Sequence, residues 1–177
     1  RLITHTFALE DAPGAYNLIS TGKERYIGVL LQYSPNGTGA FDTVTHLPRP
    51  ERRGRSDGVR TLGCIGAGVH ATSSLYPHLP TLPVNLAGLS TATGLSARSV
   101  AKKYGFAYCT TDYREILDDP DIDAVMIATR NDLHAPMAIE ALHARKDVFV
   151  EKPLATDIDE LKGIVRAWKE SEGRIMV

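Results

Sequence analysis

The apolar run Leu62-Gly63-Cys64-Ile65 leads directly into Gly66-Ala67-Gly68-Val69-His70-Ala71, and much further along Val148-Phe149-Val150 ends in Glu151-Lys152-Pro153. Between them stands Thr129-Arg130-Asn131-Asp132-Leu133-His134. The first segment has the residue types for holding a phosphate. Gly66 permits a tight turn from strand to helix, Gly68 lets the backbone approach a pyrophosphate, and Ala71 is small enough for the helix to pack on the strand. The free N–H groups of Val69 and His70 then point at the anion together with the helix dipole, and Ala67 completes the turn between the glycines. A glycine turn that holds no ligand is the other reading of these residues alone. In the last segment Lys152 follows a strand, where an ammonium can polarise a hydroxyl or help position a proton transfer. A charged pair that simply ends a strand is the alternative. In the middle segment Asn131-Asp132 has the chemistry to cap a helix near Pro136, and His134 reads as either a ligand contact or a surface histidine.

These segments need a scaffold. From Val59 onward strand-like and helix-like patterns alternate, the signature of an α/β, Rossmann-type, doubly wound and mostly parallel sheet. Strands are expected over 60–65, 84–90, 107–109, 124–129, 148–151 and 174–177. Helices are expected over 69–78, 95–104, 113–117, 136–144 and 157–172, with Pro136 at a start and Gly105 and Gly173 just past two ends. This places each chemical segment at the carboxyl end of a strand, where open α/β sheets bind ligands.

Taken together, the glycine turn, the Thr129–His134 segment and the strand ending in Glu151-Lys152-Pro153 resemble the glucose–fructose oxidoreductase / inositol dehydrogenase / MocA family of nicotinamide-dependent oxidoreductases. The resemblance covers 59–177. It implies that Thr129, Asn131 and His134 lie along the ribose and nicotinamide half of the cofactor. Arg130 stands where the family usually has proline, which adds a cation to that loop. The resemblance further implies that Lys152 lines the active site, that Glu151 lies near the nicotinamide ribose, and that Pro153, often cis in relatives, shapes the turn. A methyltransferase, the main competitor for such a glycine turn, usually has an acid just before the glycines, and Cys64-Ile65 supplies none.

The second expected strand ends in Ser90-Thr91, and Thr91 occupies the family's usual position for an aspartate that binds the ribose 2′-hydroxyl of NAD. A carboxylate there repels a 2′-phosphate, whereas hydroxyls from Ser90 and Thr91 do not. Arg98 on the next helix either supplies charge to a 2′-phosphate or is a solvated helix-face arginine. The cofactor is therefore expected to be NADP or NAD, with NADP favoured.

Residues 1–33 are expected as an appendage of strand, helix and strand. Leu2 to Phe7 alternates, acids and Pro13 open a helix that Gly22 ends, and Tyr26 to Leu31 is a β-type apolar run. This segment resembles the carboxyl-terminal tail of a medium-chain, zinc-type alcohol dehydrogenase. It carries no zinc ligand set, because His5 has no partner at metal spacing, and no metal site is expected. The resemblance implies a fusion of two oxidoreductase modules whose junction this chain spans. Phe7, Leu18, Ile19, Ile27, Val29 and Leu30 are expected either to pair with a second copy, giving a homo-oligomer, or to be poorly ordered. Residues 34–58, with the basic run 49–55, read as a solvated linker.

With 43% hydrophobic and 23% charged residues and a net charge of −1, the composition is that of a globular domain with no electrostatic reason to bind nucleic acid or an anionic membrane. Cys64 and Cys109 sit in apolar runs, so buried thiols and a cytoplasmic setting are expected. The function expected is hydride transfer between NAD(P) and a hydroxyl-bearing carbon of a sugar, cyclitol or sugar derivative. The family's remaining catalytic groups belong to a substrate domain expected after Val177, so this chain alone is expected to be inactive. A non-catalytic cofactor-binding or assembly module is the alternative, favoured by the missing acid and by Arg130.

Overall fold

The computed structural model describes residues 2–33, 44–46 and 59–177. The basic run at 49–55 lies outside them. The chain divides into two compact units, Arg1–Phe41 and Asp42–Val177.

In the first unit β1 (His5–Ala8) pairs in parallel with β2 (Val29–Gln32), in the register His5↔Val29 to Ala8↔Gln32. A 3-10 turn, Leu9–Asp11, and helix α1 (Ala12–Thr21) connect them. Pro13 sits in the first turn of α1, where its missing N–H breaks no helical bond, and Gly22 ends the helix with its N–H on the Leu18 carbonyl at 3.1 Å. The strand–helix–strand expectation is met. Leu2, Tyr16, Ile19, Ile27 and Leu30 are exposed.

The second unit is built on seven strands: β3 (Val44–His46), β4 (Arg60–Ile65), β5 (Val84–Ser90), β6 (Tyr108–Thr110), β7 (Ala124–Ile127), β8 (Asp147–Val150) and β9 (Ile175–Met176). Their order is β3-β6-β5-β4-β7-β8-β9. Every pair is parallel except β3 with β6. Without β3 this is the doubly wound order 3-2-1-4-5-6, which reverses direction between β4 and β7. The fold class expected from strand–helix alternation is the one observed. Strand β3 corrects the reading of 34–58 as linker throughout. Val44-Thr45-His46 is a short run of strand-forming residues that pairs antiparallel with 108–110, a non-local contact no local pattern reports.

Helices α2 (Gly94–Tyr104), α3 (Arg114–Asp118), α4 (His134–His143) and α5 (Ile158–Glu170) fall near their expected positions. The side chain of Asp157 caps α5 by accepting from the N–H groups of Asp159 and Glu160, both at 2.9 Å. The helix expected over 69–78 differs. It is wound as a π-turn, Ala71–Leu75, followed by a 3-10 run, Tyr76–Thr81. Pro77 and Pro80 have no N–H to donate to an α-helical ladder, which accounts for the tighter winding after Tyr76.

Alternating side chains along the strands feed two cores. Leu62, Cys64, Leu89 and Cys109 pack with Ala71, Tyr76, Leu79, Ala97 and Phe106 on one face. Ile65, Val125, Ile127, Val148 and Val150 pack with Ile116, Ala138, Leu142, Ile164 and Ala167 on the other. Burial on both faces is what a parallel sheet requires, and it leaves the strand ends as the open surface. Among the described residues no helix is long and apolar enough to cross a membrane.

Candidate cofactor-binding cleft

A cleft of about 550 Å³ opens where the strand order reverses, at the carboxyl ends of β4, β5 and β7. Ile65 to Gly68 form its floor, Ser90 to Thr93 and Ser96 one wall, and Ala128 to Arg130 the other, with Thr111, Tyr113, Leu133 and Met137 completing it.

Gly66 is locked. Its φ is +97°, its N–H donates to the Ser90 carbonyl at 2.8 Å, and a Cβ here would stand 2.4 Å from the Ala128 carbonyl oxygen. The turn therefore passes so close to the strand β7 exit that only glycine fits. Gly68 is the opposite case. A Cβ built on it meets nothing within 4 Å. Packing does not demand this glycine; the space beside it is open for a ligand to approach the backbone. Val69 stands 85% exposed beyond it, outside the cleft lining.

At the end of β5 the Thr91 hydroxyl donates to the Thr93 carbonyl at 2.8 Å and lies 3.1 Å from Ser96 Oγ, which is 2.7 Å from Thr93 Oγ1. Ser90 is buried. This wall presents hydroxyls, and among the described lining residues there is no carboxylate. Arg98 is exposed on α2 and does not line the cleft. Tyr113 donates to Glu140 Oε1 at 2.8 Å, and burial together with that carboxylate raises its phenol above the ordinary range.

At the opposite wall Arg130 is exposed and its guanidinium is held by both carboxylate oxygens of Asp132 at 3.2 Å. Asn131 begins the 3-10 turn Asn131–Leu133, whose N-cap position is held by Arg130. His134, read as a ligand contact or a surface residue, is not at the surface. It is 1% exposed, with Nδ1 2.8 Å from the Pro153 carbonyl and Nε2 3.2 Å from the Thr129 carbonyl. Its ring lies between the Thr129 loop and the Glu-Lys-Pro turn. The Lys152–Pro153 bond is cis, as the family resemblance implies. Glu151 Oε2 lies 3.5 Å from His70 Nε2, so the glycine turn and the β8 turn meet through these two side chains. Lys152 is exposed at the end of β8, and neither it nor Glu151 lines the cleft.

Residues 60–177 match the family model described as "Oxidoreductase family, NAD-binding Rossmann fold" (GFO/IDH/MocA). This chain belongs to that family. Levoglucosan dehydrogenase from Pseudarthrobacter phenanthrenivorans is 44% identical over 118 residues, covering 62% of this chain and 30% of that protein. Inositol 2-dehydrogenase from Salmonella typhimurium is 30% identical over 117 residues, covering 65% of this chain and 34% of the relative. Among solved structures, levoglucosan dehydrogenase in complex with NADH and L-sorbose superposes with a TM-score of 0.59 at 35% identity, over 66% of this chain and 33% of the other. KijD10, a 3-ketoreductase from Actinomadura kijaniata in complex with TDP-benzene and NADP, gives 0.63 at 26% identity, over 67% and 37%. The chain thus spans about a third of the length of the relatives it matches.

Within this domain the structure brings Gly66, Ala67, Gly68, Ser90, Thr91, Thr129 and Arg130 around one cleft. It leaves Val69, His70, Arg98, Asn131, His134, Glu151, Lys152 and Pro153 outside the lining. Among the lining residues not singled out from the sequence are the polar and bulky ones Thr93, Ser96, Thr111, Tyr113 and Met137. Thr93 and Ser96 follow Ser90-Thr91 so closely that the hydroxyl-rich run was itself a signal. Thr111, Tyr113 and Met137 arrive from β6, the start of α3, and α4, and carry no motif.

Proposed function

We propose that the cleft holds a nicotinamide dinucleotide, NADP in preference to NAD, and that the domain serves hydride transfer at a hydroxyl-bearing carbon of a sugar, cyclitol or sugar derivative. The observation that carries this is the open space beside Gly68 at the strand-order reversal, next to a glycine turn locked by the Gly66 contacts. The residues present fit the group. Gly66, Ala67, Gly68, Val69 and His70 would take the pyrophosphate, Ser90 and Thr91 with Thr93 and Ser96 the adenosine ribose, and Thr129, Arg130, Asn131 and Glu151 the nicotinamide side. When bound, the nicotinamide supplies the hydride chemistry. This chain's own contribution at that end is Lys152, whose ammonium would polarise a substrate hydroxyl or position its proton, and His134, whose buried ring sits between the carbonyls of the two flanking turns. The names of relatives that act on levoglucosan and inositol support the substrate class.

The preference for NADP rests on the hydroxyl wall, since Arg98 lies outside it. A side-by-side titration of the chain with NADPH and NADH is expected to show NADPH binding more tightly. Thr91→Asp is expected to move the preference towards NAD by roughly tenfold or more. A hydrogen bond from the 2′-hydroxyl to a carboxylate contributes about 1.5–3 kcal/mol, and the same charge repels a 2′-phosphate. Equal affinities before and after the substitution would mean that Thr91 does not meet the ribose.

The 177-residue chain is also expected to bind cofactor without dehydrogenase turnover, because hydride transfer needs donor, acceptor and proton-transfer group held together. Oxidation of any sugar or cyclitol by the purified chain would overturn this. For residues 1–33, the parallel strand–helix–strand unit supports an alcohol-dehydrogenase-type tail joined to this domain.

A further inference from the structure

Beneath the cleft lies a phenol that no cofactor contact explains. Tyr76 is 0% exposed, ten residues after Gly66, and its hydroxyl donates to the Gly66 carbonyl. Its ring stands edge-on to Tyr104, with centroids 5.6 Å apart, and 6.0 Å from Phe106. Its hydroxyl also meets the buried Cys64 thiol, which burial pushes up to about 12. The π-turn Ala71–Leu75 brings Tyr76 there. It winds the chain wider than an α-helix does and so resets the direction of every side chain after it.

In a planar trans peptide the carbonyl and the next N–H point in opposite directions. The Gly66 carbonyl is drawn inward to Tyr76, so the N–H of Ala67 is turned outward, on the side where Ala67 lines the cleft. The other end of Gly66 is fixed as well, by its N–H on the Ser90 carbonyl. We infer that Tyr76 is a positioning residue for dinucleotide binding, orienting the Gly66–Ala67 peptide so that the Ala67 N–H faces the pyrophosphate. This rests on the dinucleotide reading of the cleft. Burial raises the phenol far above its ordinary range, so the hydroxyl keeps its proton and donates throughout the working pH range.

Tyr104 provides the comparison. Its hydroxyl donates in the same core at 2.9 Å to the carbonyl of Thr72, on the helical run that follows the glycine turn, and not to the Gly66–Ala67 peptide. Titrating wild-type chain, Tyr76→Phe and Tyr104→Phe with NADPH and NADH tests the inference. Tyr76→Phe keeps the ring and is expected to weaken both cofactors alike by roughly three- to tenfold, the value of one net hydrogen bond. Tyr104→Phe is expected to leave both unchanged. Unaltered affinity in Tyr76→Phe, or an equal loss in Tyr104→Phe, overturns the positioning role while leaving the cofactor site standing. A wild-type chain that binds neither cofactor overturns both. Should Tyr76→Phe fail to fold, the amide resonances of the wild-type chain decide. A large shift at Ala67 on adding cofactor supports the role, and an unmoved Ala67 amide ends it.

Discussion

Gly66→Ala is expected to destabilise the domain by about 3–5 kcal/mol, the range of the severest single substitutions. Two independent effects add. The backbone is held at φ +97°, a region that strains any residue with a Cβ, and the new methyl would lie 2.4 Å from the Ala128 carbonyl oxygen and 2.7 Å from its carbon. Neither can relax cheaply. Gly66 is tied to Ser90 on β5 and to Tyr76, and the Ala128 N–H donates to the Ile65 carbonyl at 2.9 Å, so moving the turn means parting β4 from β7. Against a total stability of roughly 5–15 kcal/mol, such a loss takes a large share. A denaturant midpoint equal to that of the wild type would show that the turn does not pass as close to β7 as described. Cofactor affinity should fall too, but only as a consequence of the damaged turn.

The parts of the fold that were legible in the sequence are those whose signal is local. Leu62 to Ile65 and Val148 to Val150 are apolar runs of strand length with turn chemistry after them, and each forms a strand paired on both sides. Gly66 could be assigned its turn because no other residue tolerates that geometry. What escaped depends on contacts between distant segments. The three residues of β3 form a strand only because β6 offers them an edge. Tyr113 and Met137 meet in the cleft wall only once α3 and α4 have packed on the sheet. One reading of His134 was a surface histidine, yet its ring is buried between the carbonyls of Thr129 and Pro153, which only the folded loops bring together. In place of the helix expected over 69–78 the chain winds as a π-turn and a 3-10 run, and Pro77 and Pro80, with no N–H to donate to an α-helical ladder, are the local signal against that helix.

Gly68→Val separates binding from folding, which Gly66→Ala cannot. No protein atom lies within 4 Å of a Cβ at Gly68, and its φ is not in the left-handed region, so the side chain has room and the backbone no strain. Its carbonyl already accepts from the Thr72 N–H and the Thr72 hydroxyl, both at 3.0 Å, and a larger residue disturbs neither bond. Stability is therefore expected to stay within about 0.5 kcal/mol of wild type, as for an exposed substitution away from special features. Binding is another matter. The isopropyl group would fill the space through which a pyrophosphate must approach the turn, and would hold it away from the N–H groups of Ala67 and Val69. Losing two hydrogen bonds to a charged group, at about 1.5–3 kcal/mol each, corresponds to at least a hundredfold weaker binding. NADPH and NADH should suffer equally, because both carry the same pyrophosphate. Gly68→Ala should fall between, since a single methyl intrudes less. Isothermal titration beside a denaturation curve reads both quantities on the same preparation. If Gly68→Val binds either cofactor as the wild type does, the space beside Gly68 is not where the dinucleotide lies, and the cleft loses its assignment.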